Sequence, residues 1–280
     1  MCAIVLGAPL EKRATVLASG SSMQSGKVNS ALSYQASGRL IAGGCPYGTG
    51  ISSCYQVLLG ASGNLARRSE LAQDGVDDVY SAESSVFFSP IAQTIPEWED
   101  ESGSAIRKLN WTDHELAKRA SARQRIELYS MPMAGAGSSW TYQWKSYLSG
   151  SGFSTTGSWN HLFQLLSRGG GRTGPILTLD VRNGKAFVTA PGRCNECASM
   201  PISSFTGRTI KHTLTVKFGS SGRLLYTATN AATGQRLLSY SMSGDTGSDA
   251  SLKAGAYREV VSGMTPLKAF VGDFSFHRNS

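Results

Sequence analysis

Residues 176–189 read ILTLDVRNGKAFVT, two short apolar runs separated by Asn183-Gly184. Asparagine followed by glycine accepts the positive φ angles of a two-residue type I′ turn, so the runs read as the arms of an antiparallel hairpin. The same punctuation continues on both sides. Further strand-like runs lie at 124–130, 140–148, 161–166, 212–218, 224–229, 237–241 and 269–277, with Gly, Pro or a polar turn in nearly every gap. Ser220-Ser221-Gly222 and Thr233-Gly234 mark two more turns. Alternation in Leu214-Thr215-Val216-Lys217-Phe218 gives a strand with one buried and one solvated face. Nine or more such strands, with no long helical period, predict an all-β fold of two antiparallel sheets packed face to face.

The chain has 280 residues, 40% of them hydrophobic, and a formal net charge of +8 from 27 Lys and Arg against 19 Asp and Glu. That is enough apolar material for a core and excludes a disordered chain. No apolar run approaches the roughly 20 residues of a membrane-spanning helix. One domain is expected over residues 14–280. Residues 1–13 (MCAIVLGAPLEKR) read as the remnant of a secretory leader or propeptide ending at the dibasic Lys12-Arg13, an ordinary frayed terminus being the alternative.

Setting Cys2 aside, the cysteines fall into two local pairs, Cys45 with Cys54 and Cys194 with Cys197. Two disulfides in an oxidising compartment fit that arrangement; half of a zinc site at Cys194 and Cys197 is the competing reading. Asn110-Trp111-Thr112 is a glycosylation sequon and agrees with secretion.

Three segments each put polar side chains on one strand face. In Arg123-Gln124-Arg125-Ile126-Glu127-Leu128-Tyr129 the period of two aims Arg123, Arg125, Glu127 and Tyr129 one way and Ile126 and Leu128 toward the core. His161-Leu162-Phe163-Gln164 is the second. In residues 252–259 Lys253, Gly255, Tyr257 and Glu259 share a face, and Gly255 is expected to leave room there for a ligand. A plain solvent-facing polar row is the alternative for each.

Taken in order, the three segments resemble the motif set of the alginate lyases and the related glucuronan lyases, polysaccharide lyases with a concanavalin-like β-jelly roll. Arg125-Ile126-Glu127-Leu128 matches the R-S/T-E-L motif with one change, and Lys253-Ala254-Gly255-Ala256-Tyr257 matches the core of Y-F-K-A-G-x-Y. Val271-Gly272-Asp273-Phe274 looks like the closing strand. Ser251, Leu252 and Glu259 depart from the pattern, and His-x-x-Gln replaces Gln-x-His. Residues three apart in a regular strand face opposite ways, so His161 and Gln164 share the cleft only if a bulge intervenes. Arg68-Ser69-Glu70-Leu71 copies the first motif but reads as coincidence, being too far from the glutamine strand.

The resemblance implies β-elimination on a uronate-containing polymer, glucuronan before alginate. Arg125 and Gln164 would neutralise the substrate carboxylate as enolate-like charge builds, and Tyr257 and His161 would serve as base and acid. A tyrosine hydroxyl holds its proton far above neutral pH, so such a role asks for nearby cations. Lys253, Glu127 and Arg123 are expected to bind substrate, with Glu127 orienting Arg125 or Lys253. The net charge suits a polyanion. No basic helix or spaced stacking aromatics suggest nucleic acid, and no membrane partner is expected; a secreted, extracellular monomer is. No organic cofactor is required, no catalytic metal is expected, and Asp245, Asp249 and Asp273 offer oxygens for a structural calcium without the spacing of a calcium loop.

Two other functions remain open. A glycoside hydrolase would need two carboxylates roughly 5 to 9.5 Å apart, with Glu97, Glu99 and Glu101 as candidates. A carbohydrate-binding, lectin-like protein would keep the fold without the chemistry. Trp140, Tyr142, Trp144 and Ser146 share a face and suit either sugar stacking or core packing.

Overall fold

Asn183 and Gly184 take φ angles of 50° and 75°, closing the hairpin with the positive pair that a type I′ turn demands. The computed structural model describes residues 14–60, 123–150, 159–170, 172–261 and 264–279. The chain divides into two compact units, residues 1–66 with 122–280, and residues 67–121, the second of which lies outside the described residues. The expected leader, the sequon at Asn110, the motif copy at Arg68 and the acidic run with Glu97, Glu99 and Glu101 also lie outside them.

Sixteen strands are described in the first unit. They are Thr15–Ala18 (β1), Gln24–Lys27 (β2), Leu32–Ala36 (β3), Arg39–Ala42 (β4), Cys54–Leu59 (β5), Arg123–Ser130 (β6), Ser139–Leu148 (β7) and Asn160–Ser167 (β8). The later ones are Gly174–Arg182 (β9), Lys185–Ala190 (β10), Cys194–Pro201 (β11), Thr209–Lys217 (β12), Gly222–Asn230 (β13), Arg236–Gly244 (β14), Ser251–Glu259 (β15) and Leu267–Asn279 (β16). Strand β11 carries no period-two signal because it is a half-exposed edge strand, with Asn195, Glu196 and Ser199 in water. Cys194 and Cys197, at its start, are joined to each other, as are Cys45 and Cys54.

Two eight-stranded antiparallel sheets result, in the orders β1-β4-β5-β16-β7-β12-β13-β14 and β11-β10-β9-β8-β15-β6-β3-β2. Their facing sides make one hydrophobic core, with Leu214, Val216, Leu224 and Trp144 from the first and Ile126, Leu128, Phe163 and Ala254 from the second. Tyr142 and Trp144 are fully buried there, so of the two roles open to this aromatic row the structure selects core packing. Trp144 stacks on His212 at 4.7 Å and meets Phe163 edge-on at 5.0 Å.

His212 is a core histidine. Its Nε2 pairs with Ser146 Oγ at 2.8 Å and its Nδ1 with Tyr226 Oη at 2.9 Å, which satisfies both ring nitrogens of a neutral imidazole. Burial pushes its pKa down to about 3, below the 6.5 of a free side chain. Between those values the unfolded chain binds a proton that the folded one refuses, so stability is full above about pH 6.5 and falls with acid, by roughly 1.4 kcal/mol per pH unit from this group. Urea unfolding followed from pH 7 to pH 4 is expected to show that slope, and His212→Gln, which cannot titrate, is expected to flatten it at lower overall stability.

Candidate active site

Strand β15 lies between β6 and β8, so all three quoted segments come together on the face of the second sheet opposite the core. Against β6 the register is regular, pairing Lys253 with Tyr129, Gly255 with Glu127, Tyr257 with Arg125 and Glu259 with Arg123. Against β8 it slips, because Lys253 pairs with Gln164 and Tyr257 with His161, four residues opposing three. That slip is the bulge the sequence required, and it turns His161 and Gln164 to the same face.

Gly255 sits at the slip with φ 149°, and a Cβ there would lie 2.1 Å from the carbonyl oxygen of Ile126. The glycine therefore serves close approach of two backbones rather than space for a ligand, which corrects the expectation.

An accessible group surrounds Tyr257. Arg123 Nη1 donates to its Oη at 3.1 Å, and the Arg125 guanidinium lies 3.8 Å from its ring centre. The His161 ring is 5.7 Å from that of Tyr257. Trp159 stacks on His161 at 4.8 Å and meets Tyr257 edge-on at 4.7 Å. Asp180 of β9 holds His161 through an Oδ1 to Nδ1 contact. Its Oδ2 accepts from Thr178 Oγ1 at 2.8 Å and from Thr189 Oγ1 at 2.7 Å.

Beside this group lies a buried one. Glu127, 1% exposed, has Oε2 at 3.1 Å from Arg125 Nε and 3.3 Å from Lys253 Nζ, while Oε1 accepts from Gln164 Nε2 at 2.5 Å. Lys253 also donates to Gln35 Oε1 of β3 at 2.9 Å. Lys253 and Gln164 are each 3% exposed, and both hold Glu127. Burial lowers the Lys253 pKa, and the adjacent Glu127 carboxylate opposes that shift.

Asp180, Trp159 and Gln35 carried no motif. Asp180 is the single charged residue in the apolar run Ile176-Leu177-Thr178-Leu179-Asp180-Val181, and a lone carboxylate in a strand buried on both faces was the available signal. Of the three aspartates considered for calcium, Asp273 accepts from the amides of Ser52 and Ser53 and pairs with Lys145 at 2.9 Å, and Asp245 accepts from Gly247 N. Asp249 takes φ 46° in the turn before β15. Among the described residues no three His, Cys, Asp or Glu side chains gather as a metal site.

The chain is similar to solved structures of the families its motifs resemble. One is an endo-β-1,4-glucuronan lyase from the fungus Trichoderma reesei, 13% identical over 57% of this chain and 76% of that one, with a TM-score of 0.42. Another is a family 7 alginate lyase from Zobellia galactanivorans, 15% identical over 58% and 73%, with a TM-score of 0.41. A third, an alginate lyase from Pseudomonas aeruginosa, is 14% identical over 56% and 75%, with a TM-score of 0.40. No protein-family model matches the chain, and no curated protein does.

Removing one charge from the buried group tests its cohesion. Glu127→Gln leaves the Lys253 ammonium buried without a counter-charge and is expected to cost about 3–5 kcal/mol in urea unfolding. Adding Lys253→Met is expected to recover most of that loss.

Proposed function

We propose that this protein is a polysaccharide lyase that cleaves a uronate-containing polymer by β-elimination. The observation that carries the reading is the accessible group of two guanidiniums, a phenol and a histidine on one sheet face, around Tyr257. Arg125 and Arg123 neutralise the substrate carboxylate, which lowers the cost of the negative charge that develops when the adjacent C–H proton leaves. His161 or Tyr257 takes that proton. A carbon–carbon double bond forms, the C–O bond to the departing sugar breaks with its electron pair on oxygen, and that oxygen is protonated by the site. Arg123, donating to Tyr257 Oη, stabilises charge left on the phenol oxygen.

Among the described residues Glu127 and Asp180, two carboxylates that touch these side chains, are buried and already hold partners. That favours elimination over the paired-carboxylate chemistry of a hydrolase. Gln164 acts through Glu127 and Arg125 in this scheme. The substrate is a glucuronan-type or alginate-type polymer, with glucuronan the first choice, and the two disulfides support an extracellular setting. The elimination itself asks for no organic cofactor.

Purified protein mixed separately with glucuronan, polymannuronate and polyguluronate is expected to raise ultraviolet absorbance from the unsaturated uronate with one of them. Tyr257→Phe is expected to lower the rate by at least about 100-fold, the usual size of a lost general acid or base. New reducing ends without absorbance would indicate hydrolysis instead. Binding without either product would indicate a lectin-like protein.

A further inference from the structure

We infer that Asp180 is a positioning residue that holds His161 in the one tautomer able to accept a proton at the site. This deepens the lyase reading and rests on it. Asp180 sits on β9, one strand farther from the site than β8, and touches His161 across the register pair of those strands. Its second oxygen accepts from Thr178 Oγ1 on the same strand and lies 2.7 Å from Thr189 Oγ1 on β10, whose single proton is shared between that oxygen and Asn195 O.

An ionised carboxylate offers only acceptors, so with Asp180 in that form the proton between its Oδ1 and His161 belongs to Nδ1. A neutral imidazole protonated at Nδ1 has its lone pair on Nε2. That atom makes no hydrogen bond among the described residues, and it is not among their sealed, unpartnered polar atoms. Trp159, stacked on the ring, fixes its plane. The opposite tautomer would present an N–H there and could only donate.

His161 is then the proton acceptor and Tyr257 the donor. In one turnover the C–H proton moves to Nε2, the electron pair becomes the new double bond, the leaving oxygen takes the C–O pair, and the Tyr257 hydroxyl protonates it. Imidazolium beside Asp180 and phenolate beside Arg123 remain, and a proton passing from the first to the second through solvent restores the site.

The test is nitrogen-15 NMR of the His161 ring, with kinetics, in the full chain and in Asp180→Asn. The wild-type ring is expected to be protonated on Nδ1. The asparagine amide donates to that nitrogen, so the variant is expected to carry its proton on Nε2, with kcat down about 10³–10⁴-fold, KM within about threefold and an unfolding midpoint near that of the parent. Thr178→Val, which removes one donor to Asp180 and keeps the carboxylate, is expected to retain the Nδ1 proton and lose about tenfold in kcat; it carries the test if Asp180→Asn does not fold. A wild-type ring protonated on Nε2, or Asp180→Asn with unchanged tautomer and kcat, overturns the proposal. If the wild type eliminates no uronate polymer the lyase reading fails, and the ring spectra alone decide whether Asp180 sets the tautomer.

Discussion

One buried carboxylate ties together the face that carries the candidate site. Glu127 lies in the middle of β6, out of water, and such a charge persists only where its oxygens find partners. Its partners come from β6 itself, from β15 and from β8, and Lys253 extends the network to Gln35 on β3. A one-residue shift of any of these strands would turn its contribution to the other face of the sheet. The network therefore specifies the register of four neighbouring strands, in addition to whatever net stability it contributes.

That register is what shapes the accessible group. Arg125 is held from below by Glu127 and spreads over the Tyr257 ring, while the slip at Gly255 brings His161 opposite Tyr257. Side chains carried on central strands, with their own rotamers set by partners, are positioned more closely than side chains on loops. The proposed chemistry uses that rigidity, since the guanidiniums must already stand where carboxylate charge develops.

The first sheet meets its polar demands differently. His212, Ser146 and Tyr226 satisfy one another among aromatic rings, and Asp273, at a φ of 50° in a bulge of β16, caps two amides of the loop stapled by Cys45 and Cys54. These groups are spent on the fold. The proposed site lies on the second sheet.

Antiparallel pairing and strands β6–β10 and β12–β16 were legible in the chain because period-two alternation and turn chemistry are local, whereas the short strands β1–β5 and the edge strand β11 were not. Asn183-Gly184 closes a hairpin whatever surrounds it, and Arg125, Glu127, Lys253 and Tyr257 fall on one face by spacing alone. Which of them meet water was not legible. Lys253 and Gln164 are covered and Arg123 is open. The slip that reconciles His161 with Gln164 depends on how β15 meets β8, and the pairing of Asp180 with His161 depends on the irregular register between β8 and β9, which shifts at two points. Sequence spacing determines which face a side chain takes within its own strand; only the folded sheet decides its neighbours, because register between strands is a property of their packing.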